Sequence, residues 1–319
     1  MLITIGSFDG FHRGHSELLD ICRRNADGDN WGVVTFYPHP SEFLGSMRHS
    51  LFTLEERELI RRVLGIPHMN VLKFDEAMMN LTPEEFWALL RERFNVDGLV
   101  MGSDFHFGRG RSGNAECLKS LAEHDGLRKI FIADLLDKPI YSSSNVRECI
   151  SAGSMNIALE ILGYPFLMMS RVIHGSERGR TMNFPTANLD IHEGRVIPAW
   201  GVYCCAVLAN NEWHCGAMSI GNNPTFHDVR GTRAEVHILG FSGNIYGDEL
   251  LVLMLGRVRD IITFADKEAL ISRITKDTET CRKIYGEVMG QEDTLKFVKR
   301  IEEVYSSHKT FTPEIIKLI

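Results

Sequence analysis

Two histidines stand three residues apart behind a run of glycines, in Gly6-Ser7-Phe8-Asp9-Gly10-Phe11-His12-Arg13-Gly14-His15. Where such a run leaves a strand and opens a helix, its glycines let the backbone approach a ligand closely and adopt positive φ. The new helix end offers amide donors and a positive dipole to a phosphate. At this spacing both imidazoles share one side of the first turn. There they can donate hydrogen bonds to oxygens that gain charge during attack at phosphorus. A plain turn with two exposed histidines uses the same residue types; the strand context, the glycines and Asp9 favour the chemical reading.

A second set runs from His174 to Asn188. Gly175 and Gly179 flank a charged turn that ends in Arg180, and Phe184-Pro185 stiffens a segment carrying Thr186 and Asn188. Main-chain amides of such a loop can cradle phosphates. Thr186 and Asn188 supply oxygens, hard ligands suited to Mg²⁺. Glu235 sits inside the apolar strand Ala234-Glu-Val-His-Ile238. A carboxylate there is either the polar face of an alternating strand or a general base toward a hydroxyl. Ser143, Ser144 and Arg147 lie around the start of a helix predicted over Asn145–Ala152. Hydroxyls and a guanidinium can hold a triphosphate at such a place, although a serine-rich cap is the plainer reading. Pro38-His39-Pro40 reads as a rigid turn after a strand, and Asp104 and Phe107 as part of a core turn.

The elements that must carry these residues change character along the chain. In the first half, strands are predicted at Leu2–Ile5, Trp31–Phe36, Met69–Phe74, Asp97–Met101 and Lys129–Ala133, with a helix over Gly14–Asn25. Thr53-Leu-Glu-Glu56 and Thr82-Pro-Glu-Glu85 are capping-box helix starts. Strands separated by helices imply βαβ units and a parallel, doubly wound sheet. From Phe166 to Arg259 the chain shows short β-branched or aromatic runs broken by Gly, Asn and Pro, among them 201–208, 234–239 and 249–255. That texture predicts a small antiparallel barrel. A helix is predicted over Asp266–Tyr285, followed by an amphipathic segment with Phe297, Val298, Ile301, Val304 and Tyr305 on one stripe.

The 319 residues suit two domains. Net charge is −7, which disfavours nucleic acid and anionic membrane as partners. No apolar stretch approaches the length of a spanning helix, and nothing at the N-terminus reads as a signal peptide. Seven cysteines without a CxxC suggest reduced thiols in a cytoplasm, not a disulfide frame or a zinc site.

Taken together these elements resemble the bacterial bifunctional riboflavin kinase/FAD synthetase family. The likeness rests on the Gly6–His15 run, Thr35-Phe-Tyr-Pro-His-Pro40, Gly102-Ser-Asp-Phe-His-Phe-Gly-Arg-Gly-Arg-Ser-Gly113 and Ser142-Ser-Ser-Asn-Val-Arg147. It continues through Leu162–Phe166, His174-Gly175, Gly179-Arg180, Phe184–Leu189, Pro198–Tyr203, Ser219–Thr225, Glu235–His237, Tyr246-Gly247 and Arg259-Asp260. The resemblance implies an FMN adenylyltransferase domain of the HxGH class over 1–162. It implies a β-barrel riboflavin kinase domain over 163–285, with 286–319 as a helical extension. On it, His12, His15 and Arg147 stabilise phosphate charge. Gly6, Phe8, Asp9, Gly10, Pro38, His39, Asp104, Phe107, Arg111, Ser143 and Ser144 line the flavin and nucleotide pockets of the first domain. In the second, Gly175, Gly179, Arg180 and Pro185 hold nucleotide, Thr186 and Asn188 bind Mg²⁺, and Glu235 activates the ribityl hydroxyl. The implied ligands are ATP, riboflavin and FMN, and the expected state is a monomer or weak oligomer. Met182-Asn183 stands where the family has Leu-Gly, which predicts altered affinity at that loop. Narrower alternatives are retention of one activity alone, or a flavin-binding protein without turnover.

Overall fold

The computed structural model describes residues 1–45, 49–134, 141–175, 184–192, 194–221 and 232–306. They form two compact units: Met1–Ser50 with Arg57–Ser143, and Leu51–Glu56 with residues 144–306.

The first unit contains β1 (Leu2–Ile5), α1 (Arg13–Asn25), β2 (Trp31–Tyr37), α2 (Pro40–Phe43) and, from Arg57 onward, α3 (Leu54–Val63). There follow β3 (His68–Lys73), α4 (Glu76–Met79), α5 (Pro83–Phe94) and β4 (Gly98–Gly102). A two-rung hairpin, β5 (His106–Phe107) and β6 (Gly113–Asn114), precedes α6 (Ala115–His124) and β7 (Lys129–Ala133). The five main strands make one parallel sheet in the order β3-β2-β1-β4-β7. β1 and β4 are buried along their whole length, as parallel strands covered on both faces must be. Ile3, Ile5, Leu99 and Met101 pack against Phe86, Trp87 and Leu90 of α5. Local chemistry sets the helix starts. Thr82 Oγ1 accepts from Glu85 N at 3.2 Å while Glu85 Oε2 accepts from Thr82 N at 2.8 Å.

The strand order reverses at β1: β2 and β3 build to one side, β4 and β7 to the other. Open α/β sheets bind ligands beyond the carboxyl ends of strands at such a switch point. The loops leaving β1 at Gly6 and β4 at Ser103 are the two that start there.

The second unit holds α7 (Ser143–Ala152, from Ser144), α8 (Met155–Leu162), β8 (Phe166–Ile173), β9 (Ala187–Leu189) and β10 (Gly201–Ala209). β11 (Glu212–Gly221), β12 (Arg233–Ile238), β13 (Glu249–Arg259), α9 (Lys267–Met289) and α10 (Glu292–Ser306) complete it. Six antiparallel strands close into a barrel, β10-β11-β12-β9-β8-β13, as the alternating texture predicts. β12 alternates cleanly, with Ala234, Val236 and Ile238 buried and Arg233, Glu235 and His237 on the other face. α9 packs across β10, β11 and β13, so β10 is buried on both faces. The helix starts at the Asp266 cap, whose carboxylate accepts from Ala269 N, and runs past Gly286 to Met289. An internal glycine weakens a helix by only about 1 kcal/mol and does not end it. α10 buries Phe297, Val298 and Ile301, and Phe297 stacks on Tyr164 at 4.6 Å.

Leu51–Glu56 joins this unit through the buried Phe52 ring, 5.2 Å from that of Phe166, and through the Glu56 carboxylate. Glu56 Oε2 accepts from Thr53 N at 2.8 Å, closing the predicted capping box. Glu56 Oε1 accepts from Arg195 Nη1 and from Met169 N, each at 2.7 Å. Glu56 and Arg195 are 0% and 2% exposed, a fully buried ion pair. All seven cysteines are free thiols.

Candidate functional sites

The loop between β1 and α1 is held in a demanding conformation. Phe8 and Phe11 have φ of 41° and 40°, and Gly10 has 114°. Non-glycine residues in this region cost on the order of 1–3 kcal/mol each. Both rings are buried and stack at 5.6 Å, which offsets that cost and fixes the loop. Asp9 is buried beside them, and its carbonyl accepts from Ser143 Oγ at 2.8 Å.

His12 is the N-cap residue of α1, with extended backbone and no side-chain cap. The first turn carries no acidic residue, so no carboxylate competes for an anion there. The His12 and His15 rings stack at 3.8 Å, and Phe8 lies 4.8 Å from His15. Gly14 makes this possible: a Cβ would stand 2.3 Å from Tyr141 O and 2.9 Å from His12 Nδ1. His15 is partly exposed as a residue, but its Nδ1 is buried and finds no hydrogen-bond partner in the protein. Burial above all, then the charges of His12 and Arg57, hold His15 well below the usual imidazole value. It is therefore neutral at pH 7, a donor through a single N–H.

β2 ends in a cis Tyr37–Pro38 peptide. His39 then caps α2: its Nδ1 accepts from Ser41 N at 3.1 Å, and the Glu42 carboxylate accepts from His39 N at 3.3 Å. Beyond β4, Asp104 is exposed and its carbonyl accepts from His106 Nδ1 at 2.8 Å. Phe107 lies in the core, 5.0 Å from Phe86, while Arg111 is exposed with φ of 60°. Gly6, Asp9, Gly10, His12, His15 and Ser143 thus come together, while Phe107 is a core residue packed on Phe86 and Phe105. Ser144 follows on the first turn of α7 and Arg147 one turn on, in the second compact unit.

Sequence reasoning overlooked one residue of the first unit. Arg57 is 3% exposed, and its guanidinium donates to Ser7 O at 2.8 Å and to Thr35 Oγ1. Nothing in the spacing of Thr53–Val63 marks it, because an arginine on a helix is exposed by default.

In the barrel, Asn188 on β9 and Glu235 on β12 are direct cross-strand partners. Ser219 faces Glu235 from β11, and Ile173 faces Asn188 from β8. Asn188 is buried. Gly175 touches it so closely that a Cβ would stand 2.0 Å from Asn188 Nδ2. Thr186 precedes β9 by one residue, and Pro185 O accepts from His237 Nδ1 at 2.8 Å. His174 stacks on Tyr246 at 4.1 Å. Gly179, Arg180, Met182, Asn183, Pro224 and Thr225 lie outside the described residues.

The donor set around Asn188 suits a hard cation better than a soft one. Among the described residues no group of three or more His, Cys, Asp or Glu side chains could hold a metal. Two amide and hydroxyl oxygens beside a carboxylate match Mg²⁺, which keeps its waters and binds chiefly through nucleotide phosphates.

A parallel nucleotide-binding sheet joined to a six-stranded barrel defines a two-module transferase. Family models agree with each module: FAD synthetase matches residues 1–144 and riboflavin kinase matches 162–285. The bifunctional riboflavin kinase/FMN adenylyltransferase of Listeria monocytogenes is 34% identical over 296 residues, 90% of this chain and 93% of its own. That of Escherichia coli K12 is 32% identical, over 89% of this chain and 93% of its own. A crystal structure described as a macrolide-efflux protein from Streptococcus pneumoniae aligns with a TM-score of 0.78 at 30% identity, covering 88% of this chain and 93% of that one. Among the described residues no helix is long and apolar enough to cross a membrane. The chain belongs to the bifunctional riboflavin kinase/FMN adenylyltransferase family.

Proposed function

We infer that the chain makes FAD from riboflavin in two ATP-dependent steps. Riboflavin phosphorylation is assigned to 163–285, FMN adenylylation to 1–162, and a packing role to the extension 286–319. The observation that carries this reading is that each unit holds its own reactive framework, the stacked His12–His15 pair in one and the Glu235–Asn188 pair in the other.

In the first step the terminal ribityl hydroxyl attacks the γ-phosphorus of ATP. Glu235 takes the hydroxyl proton, and ADP leaves with FMN formed. Asn188 and Thr186 orient the phosphates together with Mg²⁺, which neutralises phosphate charge when bound. Gly175, Gly179, Arg180 and Pro185 shape the nucleotide loop. In the second step an oxygen of the FMN phosphate attacks the α-phosphorus of a second ATP, and pyrophosphate leaves. His12, His15 and Arg147 stabilise the charge that moves onto the phosphate oxygens. Gly6, Phe8, Asp9, Gly10, Pro38, His39, Asp104, Phe107, Arg111, Ser143 and Ser144 form or support the flavin and nucleotide pockets. Positioning and charge neutralisation supply the catalysis, and no covalent enzyme intermediate is required. The ligands are small molecules, without nucleic acid or membrane, and the chain works in the cytoplasm as a monomer or weak oligomer.

The test is a time course of purified protein with riboflavin, ATP and Mg²⁺, the flavins being resolved by chromatography. FMN should rise, then yield to FAD with pyrophosphate release. FMN that accumulates without FAD would remove the adenylyltransferase reading. No product from riboflavin, alongside FAD from supplied FMN, would remove the kinase reading.

A further inference from the structure

The β1–β2 ladder ends where Gly6 N donates to Val34 O at 3.1 Å. Beyond that point the two chains separate, one toward the His12–His15 loop, the other toward Pro38 and His39. Four side-chain hydrogen bonds gather at the gap. Thr35 Oγ1 donates to Ser7 O at 2.7 Å. Arg57 Nη2 donates to Ser7 O at 2.8 Å and to Thr35 Oγ1, and Nη1 donates to Phe36 O at 3.5 Å. Thr35 is fully buried, Arg57 is 3% exposed, and Arg57 Nε is buried with no partner in the protein. Asp9, Tyr37 and Glu42 face the guanidinium electrostatically. A buried cation at the fork of two site loops is costly to keep unless those contacts are used.

We propose that Arg57 is the positioning residue of FMN adenylylation, its planar fork clamping the Ser7 and Phe36 main chains and the Thr35 hydroxyl so that both loops meet the nucleotide in one geometry. This rests on the reading of the first unit given above. Buried against the main chain of both loops, Arg57 acts through them and not as a ligand-binding group. A lysine keeps the charge but presents one compact ammonium, which cannot span Ser7 O and Phe36 O as the fork does.

Arg57→Gln and Arg57→Lys separate clamping from charge and from mere folding. Each is assayed in the full chain for both reactions, with riboflavin phosphorylation reporting that the chain is folded. For Arg57→Gln, kcat for FAD formation from FMN should fall by about tenfold or more while KM for FMN changes by less than about threefold, the pattern of misplacement. Phosphorylation should stay within about twofold of the parent, and Arg57→Lys should recover only part of the kcat loss. Several outcomes overturn the proposal: Arg57→Gln making FAD at the parental rate, Arg57→Lys restoring it fully, or both activities falling together in both variants. A parent chain that makes FMN but no FAD would overturn the adenylyltransferase reading and this proposal with it. An active parent matched by Arg57→Gln overturns the Arg57 role alone.

Discussion

Glu235 lies directly opposite Asn188 across the β12–β9 pairing, with Gly175 pressed against the Asn188 amide. Directly opposed residues of an antiparallel pair carry their side chains on the same face, with Cβ atoms about 5 Å apart. The carboxylate proposed to accept the hydroxyl proton and the amide proposed to orient phosphate oxygens are therefore neighbours by register alone. Replacing Glu235 by Ala should lower FMN formation by about 10²–10⁴-fold, the usual worth of a general base. FAD formation from supplied FMN should stay unchanged in the same preparation. Equal loss of both rates in a folded protein would refute the separation of the two sites.

Gly175→Ala tests the same neighbourhood through sterics. The new methyl would overlap the Asn188 side chain at 2.0–2.5 Å, so Asn188 must leave its place. Kinase turnover should fall by about tenfold or more, again with adenylylation intact. Kinase kinetics like those of the parent would mean that the placement of Asn188 does not matter.

In the first unit, His15→Ala should cut FAD formation by about 10²–10³-fold, as loss of one donor to a charged transition state does. FMN should then accumulate from riboflavin instead of passing on to FAD. Chromatography of the reaction mixture reads both effects at once.

His15 also predicts how stability depends on pH. Its folded value is held well below the ordinary 6.5, first by burial and then by His12 and Arg57. On acidification the unfolded chain takes up this proton near pH 6.5 and the folded chain only later. Below 6.5 the unfolded state binds more protons, so stability falls as pH falls toward the lower folded value. The urea midpoint should drop between pH of about 7.5 and about 5.5, and His15→Asn should remove part of that drop. An unchanged slope in the variant would count against the depressed value.

Most of the fold was legible because both periodicities are written plainly. Trp31–Tyr37 and Gly98–Gly102 are the near-continuous apolar runs of buried parallel strands, and Arg233–Ile238 is the strict alternation of a barrel wall. Both capping boxes formed where Thr and Glu stood three apart. The glycine-rich run was legible as a strand-to-helix turn, and the structure adds that Gly14 is needed by sterics against Tyr141. What stayed hidden was burial that opposes residue type. Glu56, Arg57, Glu58 and Arg61 are all buried on α3, where pattern alone reads them as a solvated face. Glu56 and Arg57 find their partners far along the chain, at Arg195 and Met169 and at Ser7, Thr35 and Phe36, and local spacing cannot report such contacts. Glu58 and Arg61 pair with each other one turn apart, and only their burial went unannounced. His39 is similar: its ring serves a short helix cap, which its sequence neighbours Pro38 and Pro40 do not announce.

The Glu56–Arg195 pair means that the barrel unit is not a single stretch of chain, so the gene cannot be divided cleanly between the modules. A fragment starting at residue 144 or 162 would carry every barrel strand yet leave Arg195 without its carboxylate and Met169 N without its acceptor. Removing one member of a buried pair costs about 3–5 kcal/mol, a large share of the roughly 5–15 kcal/mol that holds a domain folded. A split by truncation would thus confuse lost folding with lost catalysis. A transplant of the barrel into another host would have to take Leu51–Glu56 along.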